Sequence, residues 1–353
     1  MSLWVDKYRP TKLKDLNYHK HLSEHLERLA ASGDFPHMLV YGPSGAGKKT
    51  RITCILREIF GPGAEKLKVE QRVFVTPSNK KLNLNIVTSN YHLEVNPSDV
   101  GIYDRVVVQD LIKEMAQTQQ VDASASRRFK VVVINEADCL SRDAQAGLRR
   151  TMEKYMNNMR LILCCNSTSK IIAPVRSRCL LVRVAAPEVP DIVAVLEQVA
   201  KKEGFKLPSE VAHKIAETSD RNLRRAILTL EAAKVQHGVL QPGSEIPPYD
   251  WEEFVKQIAQ MIVKEQSPTR LAQVRAKLYE LLCHCIPPNI ILKTLAFELI
   301  ATVDTELKGE ITKQAAAYEH KLQCGQKAIF HLEAFVAKVM CVYKKYLMQF
   351  DAY

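Results

Sequence analysis

The chain has no apolar run approaching the roughly eighteen residues that a membrane-crossing helix needs. Its opening, Met1 to Pro10, has neither an apolar signal core nor a glycine placed for myristoylation, so neither secretion nor lipid anchoring is expected. None of its nine cysteines form a C-x-x-C pair, and nine is an odd number. Reduced thiols in an intracellular compartment fit that usage better than a disulfide framework. Cys283-His284-Cys285 has no second ligand pair nearby, which argues against a zinc site. Internal repeats, low-complexity tracts and long Lys/Arg blocks are also missing.

At 353 residues the chain exceeds one ordinary core, so two or three domains are expected. Apolar content of 46% and charged content of 25% describe a soluble globular protein. The net charge of +11 is compatible with a polyanionic partner.

The most informative stretch is Gly42-Pro43-Ser44-Gly45-Ala46-Gly47-Lys48-Lys49-Thr50. It follows an apolar run, Met38 to Tyr41, and opens a helical pattern carrying Ile52, Ile55, Leu56 and Ile59. A strand, a G-x-x-x-x-G-K loop and a helix make a phosphate cradle, with Lys48 reaching toward terminal phosphates. One position departs from the pattern. Where Ser or Thr would hold Mg²⁺ stands Lys49, with Thr50 one place late.

Further along, segments 71–76, 84–88, 92–95, 131–134, 161–165 and 180–182 read as strands. Arg105 to Thr118 and Ala144 to Tyr155 read as helices, whereas residues 1–19 are polar and without clear period. Alternating strands and helices predict a mainly parallel sheet with ligand loops at the strand C-termini. Proline-bearing junctions at 184–190 and 238–249 divide the chain, and everything beyond them is helical. Two apolar stripes near the C-terminus, Leu271/Val274/Leu278/Leu281/Leu282 and Ile329/Leu332/Val336/Val339/Tyr343, predict a packed bundle.

The second half of a nucleotide site should stand where a buried strand ends, at Val131 to Asp138. Glu136 occupies the water-orienting position, but Asn135 stands where a metal-organising Asp is needed. A charged hydrogen-bond partner is worth about 1.5–3 kcal/mol, and each 1.36 kcal/mol is about tenfold in rate. Losing that charge and the hydroxyl replaced by Lys49 predicts a pocket that holds a nucleotide and barely cleaves it. Glu136 is then vestigial, and Mg²⁺ is only weakly supported.

Trp4 to Pro10, Pro36 to Gly42, Asn135 to Asp138, Ala144-Gln145 with Leu148 to Glu153, and Ser177-Arg178-Cys179 together resemble the small subunits of replication factor C, the eukaryotic sliding-clamp loader. The resemblance spans nearly the whole chain. It implies an α/β P-loop AAA+ domain at 1–186, a helical lid at 187–237 and an all-α collar at 238–353 through which five subunits assemble. Val5, Tyr8, Arg9 and Pro10 match the segment that packs around adenine. Asn166 matches a first phosphate sensor, Arg224 a second one on the lid. Together with Ser44, Gly45, Ala46, Gly47, Lys48, Lys49, Thr50 and Asn135 they make up the expected site for ATP or ADP.

In this family the arginine of Ser-Arg-Cys reaches a neighbour's ATP, which gives Arg178 a catalytic role in trans. The inward-facing helices match those starting near Arg105 and Arg142, so Arg105, Lys113 and Arg142 are the candidate DNA contacts. The implied partners are four other replication factor C subunits, the clamp PCNA and primer-template DNA, in the nucleus. A self-sufficient AAA+ motor and a purely structural scaffold are the competing readings.

Overall fold

Runs of Val, Ile, Leu and Cys that alternate between two buried faces build the centre of this fold. The structure is a computed structural model that describes residues 2–32, 35–75, 81–117, 129–156, 158–243, 246 and 248–350. Contacts divide the chain into two units, Met1–Ile246 and Pro247–Tyr353.

The first unit begins with α1 (Trp4–Lys7), α2 (Lys20–Ala31), β1 (Met38–Tyr41) and α3 (Lys48–Phe60). Next come β2 (Lys68–Val75), β3 (Lys81–Thr88), β4 (His92–Val95), α4 (Asp104–Gln117) and β5 (Lys130–Ile134). Then follow α5 (Arg142–Lys154), β6 (Met159–Cys165), α6 (Ala173–Arg176) and β7 (Leu180–Arg183). Three further helices close the unit: α7 (Val189–Lys202), α8 (Ser209–Thr218) and α9 (Leu223–His237).

The seven strands form one sheet in the order β2-β3-β4-β5-β6-β1-β7. Neighbours from β4 to β7 pair in parallel, while β2, β3 and β4 pair antiparallel at one edge. Both faces of the parallel part are buried, which is why β1, β5 and β6 are nearly continuous apolar runs. Leu39, Val132, Ile134, Leu161 and Leu163 face a core shared with α4 and α5. Met38, Val40, Val131, Val133 and Ile162 face a second core under α2 and α3.

Two expectations need correction. The edge strands run 68–75 and 81–88, longer than the segments 71–76 and 84–88 read from alternation; Thr76 lies outside the described residues. Backbone pairing from Lys68↔Thr88 to Val75↔Lys81 extends them through polar residues that burial would not mark. The polar opening is not irregular either. It holds α1, and Leu13, Leu16 and Tyr18 are buried in the core. The end of the expected helix at Thr118 also lies outside the described residues.

Helices α7 to α9 enclose a small core of Ile192, Leu196, Val211, Ile215, Ala226 and Leu230. α7 starts on a capping box, Glu188 with Asp191, and α9 on Asn222, whose side chain accepts from the Arg225 amide at 3.1 Å. Trp4 and Tyr8 pack against this core, and Trp4 stacks on Phe205 at 5.8 Å. Leu240 is buried here and Ile246 packs beside it.

The second unit is all helical: α10 (Asp250–Lys264), α11 (Pro268–Cys283), α12 (Pro288–Thr302), α13 (Thr305–Cys324) and α14 (Ala328–Phe350). Leu332, Phe335, Val336, Val339 and Met340 follow helical spacing along α14 and are buried in its core. Among the described residues, no helix is long and apolar enough to cross a membrane.

Candidate functional site

Parallel register brings the loops after β1, β5 and β6 to one end of the sheet. Tyr41 pairs with Cys165 and Ile134 with Leu163, so Gly42, Asn135 and Asn166 leave the sheet side by side. They open onto a cleft of about 910 Å³. Ligands bind at this edge in open α/β sheets because helix N-termini and free backbone amides converge there.

The glycine loop is shaped by what lies behind it. Gly45 has φ +75°, and a Cβ there would lie 1.7 Å from Asn222 Oδ1 of the lid. Gly47 has φ +79°, and a Cβ there would lie 2.3 Å from the Tyr18 hydroxyl. Tyr18 in turn donates to the Ala46 carbonyl at 3.1 Å. The buried guanidinium of Arg51 lies over its ring at 5.1 Å and donates to Ser23 and to the Tyr18 carbonyl at 2.9 Å each. Side chains lacking from any loop motif therefore hold the loop's shape.

Lys48 is buried. Its ammonium donates to the carbonyls of Gly42 and Pro43 at 2.7 and 2.8 Å and to Asn166 Oδ1 at 2.9 Å. Burial pushes its pKa below the ordinary lysine value, and Arg224 adds to that push while Asp138 opposes it. The same burial lifts the Cys165 thiol to about 12. Lys48, Asn166 and Arg224 thus form one polar group of two cations and an amide, suited to an anion.

Lys49 departs from this group. Its Nζ lies 3.0 Å from Glu94 Oε2, a carboxylate on β4 that is only 6% exposed. Glu136, in a left-handed conformation at φ +50°, accepts from the Ser98 hydroxyl at 3.0 Å. A magnesium ion in a P-loop site takes a hydroxyl and a strand-end carboxylate as its protein partners. Lys49 and Asn135 supply neither, so the residues present do not fit that ion.

The cleft is lined by Val5, Tyr8, Arg9, Pro10, Ser44, Gly45 and Gly47, and by Lys48, Lys49, Thr50, Asn135, Glu136, Asn166 and Arg224. Ala46 is the exception among the expected contacts; it is buried in the core behind the loop. Tyr8 donates to Glu203 Oε1 at 2.5 Å and Lys7 reaches the same oxygen at 2.7 Å. The N-terminal segment is thereby tied to the end of α7. Glu94, Tyr18, Asn222 and Glu203 were not anticipated. None of the four stands in a spacing pattern that marks a nucleotide site, and Glu94 shares its short strand with another polar residue, His92.

Arg178 lies outside the cleft. Its Nε donates to Glu153 Oε1 at 2.9 Å, its Nη2 lies 2.5 Å from the same oxygen, and its Nη1 donates to the Pro174 carbonyl at 2.7 Å. Burial lifts the adjacent Cys179 thiol to about 12. Arg105 and Arg142, both exposed, stand at two helix starts that are locked together. Asp104 accepts from the Ser141 amide at 2.6 Å and from its hydroxyl at 2.9 Å. Lys113 lies further along α4 and pairs with Asp110 at 3.9 Å.

Sheet, glycine loop, lid and helical C-terminal unit define a P-loop ATPase fold of the AAA+ class. Three family descriptions match: "Replication factor C subunit 3, C-terminal domain" at 251–347, "RCF1/5-like, AAA+ ATPase lid domain" at 194–235, and "DNA polymerase III, delta subunit" at 18–188. A solved structure of RuvB from Thermotoga maritima has a TM-score of 0.50 at 15% identity, covering 76% of this chain and 85% of that one, a likeness of fold alone. Replication factor C subunit 3 of Homo sapiens is 58% identical over 347 residues, 98% of each chain. Replication factor C subunit 5 of Neurospora crassa is 62% identical over 351 residues, 99% of this chain and 100% of that one. The chain belongs to the replication factor C subunit family represented by these relatives. Membership implies a subunit of a multi-subunit complex acting in DNA replication, and the AAA+ class implies nucleotide binding.

Proposed function

We propose that this chain is a clamp-loader subunit that holds an adenine nucleotide with little hydrolysis and completes the ATP site of a neighbour. The nucleotide, ATP or ADP, would sit between the glycine loop and the lid. Lys48, Asn166 and Arg224 would face its phosphates, and Val5, Tyr8, Arg9 and Pro10 its base. Hydrolysis is disfavoured because Lys49 and Asn135 replace two groups on which catalysis in this fold depends.

Arg178 carries most of the proposal. It is held outside its own cleft by Glu153 and Pro174, where its guanidinium cannot serve the chain's own nucleotide without leaving those partners. An arginine donated to a neighbouring phosphate can contribute about 10³–10⁵ in rate. The complex we infer has four further replication factor C subunits and loads the clamp PCNA onto primer-template DNA in the nucleus. Tyr279, Ile290, Phe297 and Phe330 are exposed apolar side chains of the helical unit, the kind of surface an oligomer covers. Arg105, Lys113 and Arg142 would contact phosphates without reading bases.

The test is Arg178→Ala in the assembled complex. Hydrolysis at the neighbouring site is expected to fall by about 10³-fold, lowering the DNA- and clamp-stimulated ATPase of the complex, with the chain's own nucleotide still bound by mass spectrometry. An unchanged rate would refute the donated arginine.

A further inference from the structure

We propose that nucleotide binding in this cleft does not depend on a divalent cation, because the Lys49 ammonium takes the magnesium ion's place. The inference rests on the nucleotide-binding role above and adds to it.

Lys49 sits in the first turn of α3, immediately after the lysine of the loop, where a P-loop site places its metal-binding hydroxyl. Its side chain is 47% exposed, yet the ammonium lies 3.0 Å from Glu94, and both residues line the cleft together with Asn135. A divalent ion placed there would meet a cation instead of a hydroxyl and an amide instead of a carboxylate. Mg²⁺ also demands near-octahedral oxygen donors at about 2.0–2.1 Å, which a lysine cannot supply.

The two departures compensate each other in charge. A doubly charged metal with one aspartate leaves one net positive charge beside the phosphates. Lysine with asparagine leaves the same, with Glu94 counted in neither sum. Changing either position alone would have left the cleft over- or under-charged; together they conserve its attraction for a polyanion. Glu94 explains why the ammonium stays on this side of the cleft. A carboxylate this buried needs a partner, and Lys49 is one it has.

Calorimetric titration of ADP into a complex in which the loop lysine of every other subunit is changed to alanine, with Mg²⁺ and then with excess EDTA, tests the proposal. The dissociation constants are expected to agree within about threefold, well short of the tenfold step that equals about 1.4 kcal/mol. In the variant Lys49→Thr/Asn135→Asp, EDTA is expected to weaken binding by at least about tenfold, as removal of one charged partner would. Adding Glu94→Gln to that variant avoids an orphaned buried carboxylate and should give the same result. Wild-type binding that weakens tenfold or more in EDTA would overturn the proposal and leave nucleotide binding standing. No binding in either buffer would overturn both.

Discussion

Arg178 rests on Glu153, with Nε at 2.9 Å and Nη2 at 2.5 Å from the same carboxylate oxygen. Arg149 approaches that oxygen too, at 3.8 Å. One carboxylate on α5 therefore sets the direction of the guanidinium. The pair is partly exposed, and such pairs contribute only about 0–1 kcal/mol to stability.

Glu153→Ala should consequently leave the urea midpoint of the chain almost unchanged. Hydrolysis at the neighbouring site should nevertheless fall by up to about 10²-fold, the cost of a misplaced catalytic group, and the ATPase of the assembled complex should drop with it. Both are measured on one preparation. Full activity in the variant would mean that the arginine needs no support from α5.

The glycine loop and the lid meet at Gly45 and Asn222. Gly45→Ala places a methyl on Asn222 Oδ1 and puts a non-glycine residue at φ +75°, which costs about 1–3 kcal/mol. Unfolding in urea should report that loss, and the rise in melting temperature on adding ADP should disappear. Adding Asn222→Gly removes the clash while keeping most of the helix cap. It should recover part of both losses, whereas no recovery would exclude the contact as their cause.

Two buried histidines set the acid side of the stability curve. His37 accepts from the Leu161 amide at 3.0 Å, and His92 Nδ1 lies 2.8 Å from the Ser89 hydroxyl. Burial lowers the pKa of both from 6.5. Protonation then favours the unfolded chain, so their contribution is complete above pH 6.5 and fades as pH drops below it. The slope should approach about 1.4 kcal/mol per pH unit for each proton taken up. Urea midpoints measured from pH 8 to 5.5 should be level at first and then fall, and His92→Gln should make the fall shallower. A midpoint rising toward acid pH would contradict the assignment.

Arg105, Lys113 and Arg142 each predict a change in salt dependence. Neutralising one phosphate contact should reduce the slope of log affinity against log salt by about 0.9. Single alanine variants of the assembled complex, titrated with primer-template DNA at several salt concentrations, would show it. Lys113, already paired with Asp110, should change least.

The glycine loop was legible because its chemistry is local. Glycine spacing, one lysine and the flanking apolar runs need no distant partner to be recognised. Asn135 was legible from the buried strand that precedes it, whereas Asn166 and Arg224 could be placed only through family resemblance, since parallel pairing brings Asn166 in from a distant segment and Arg224 stands on a lid helix. Glu94 escaped for the same reason. Its burial follows from β4 lying beside β5, which the residues His92 to Val95 do not reveal by themselves. Tyr18 and Asn222 were missed because a loop's supports are chosen by shape, and no spacing rule encodes shape. The edge strands were underestimated because backbone pairing, not burial, continues them.

The central claim is that this chain keeps its nucleotide while its arginine serves another site. A complex in which the loop lysine of every other subunit is changed to alanine leaves only the cleft around Lys48 able to bind ATP. Single-turnover measurement with labelled ATP, DNA and clamp should recover the label from that complex as ATP. Label released as ADP at the rate of the unmodified complex would contradict the claim.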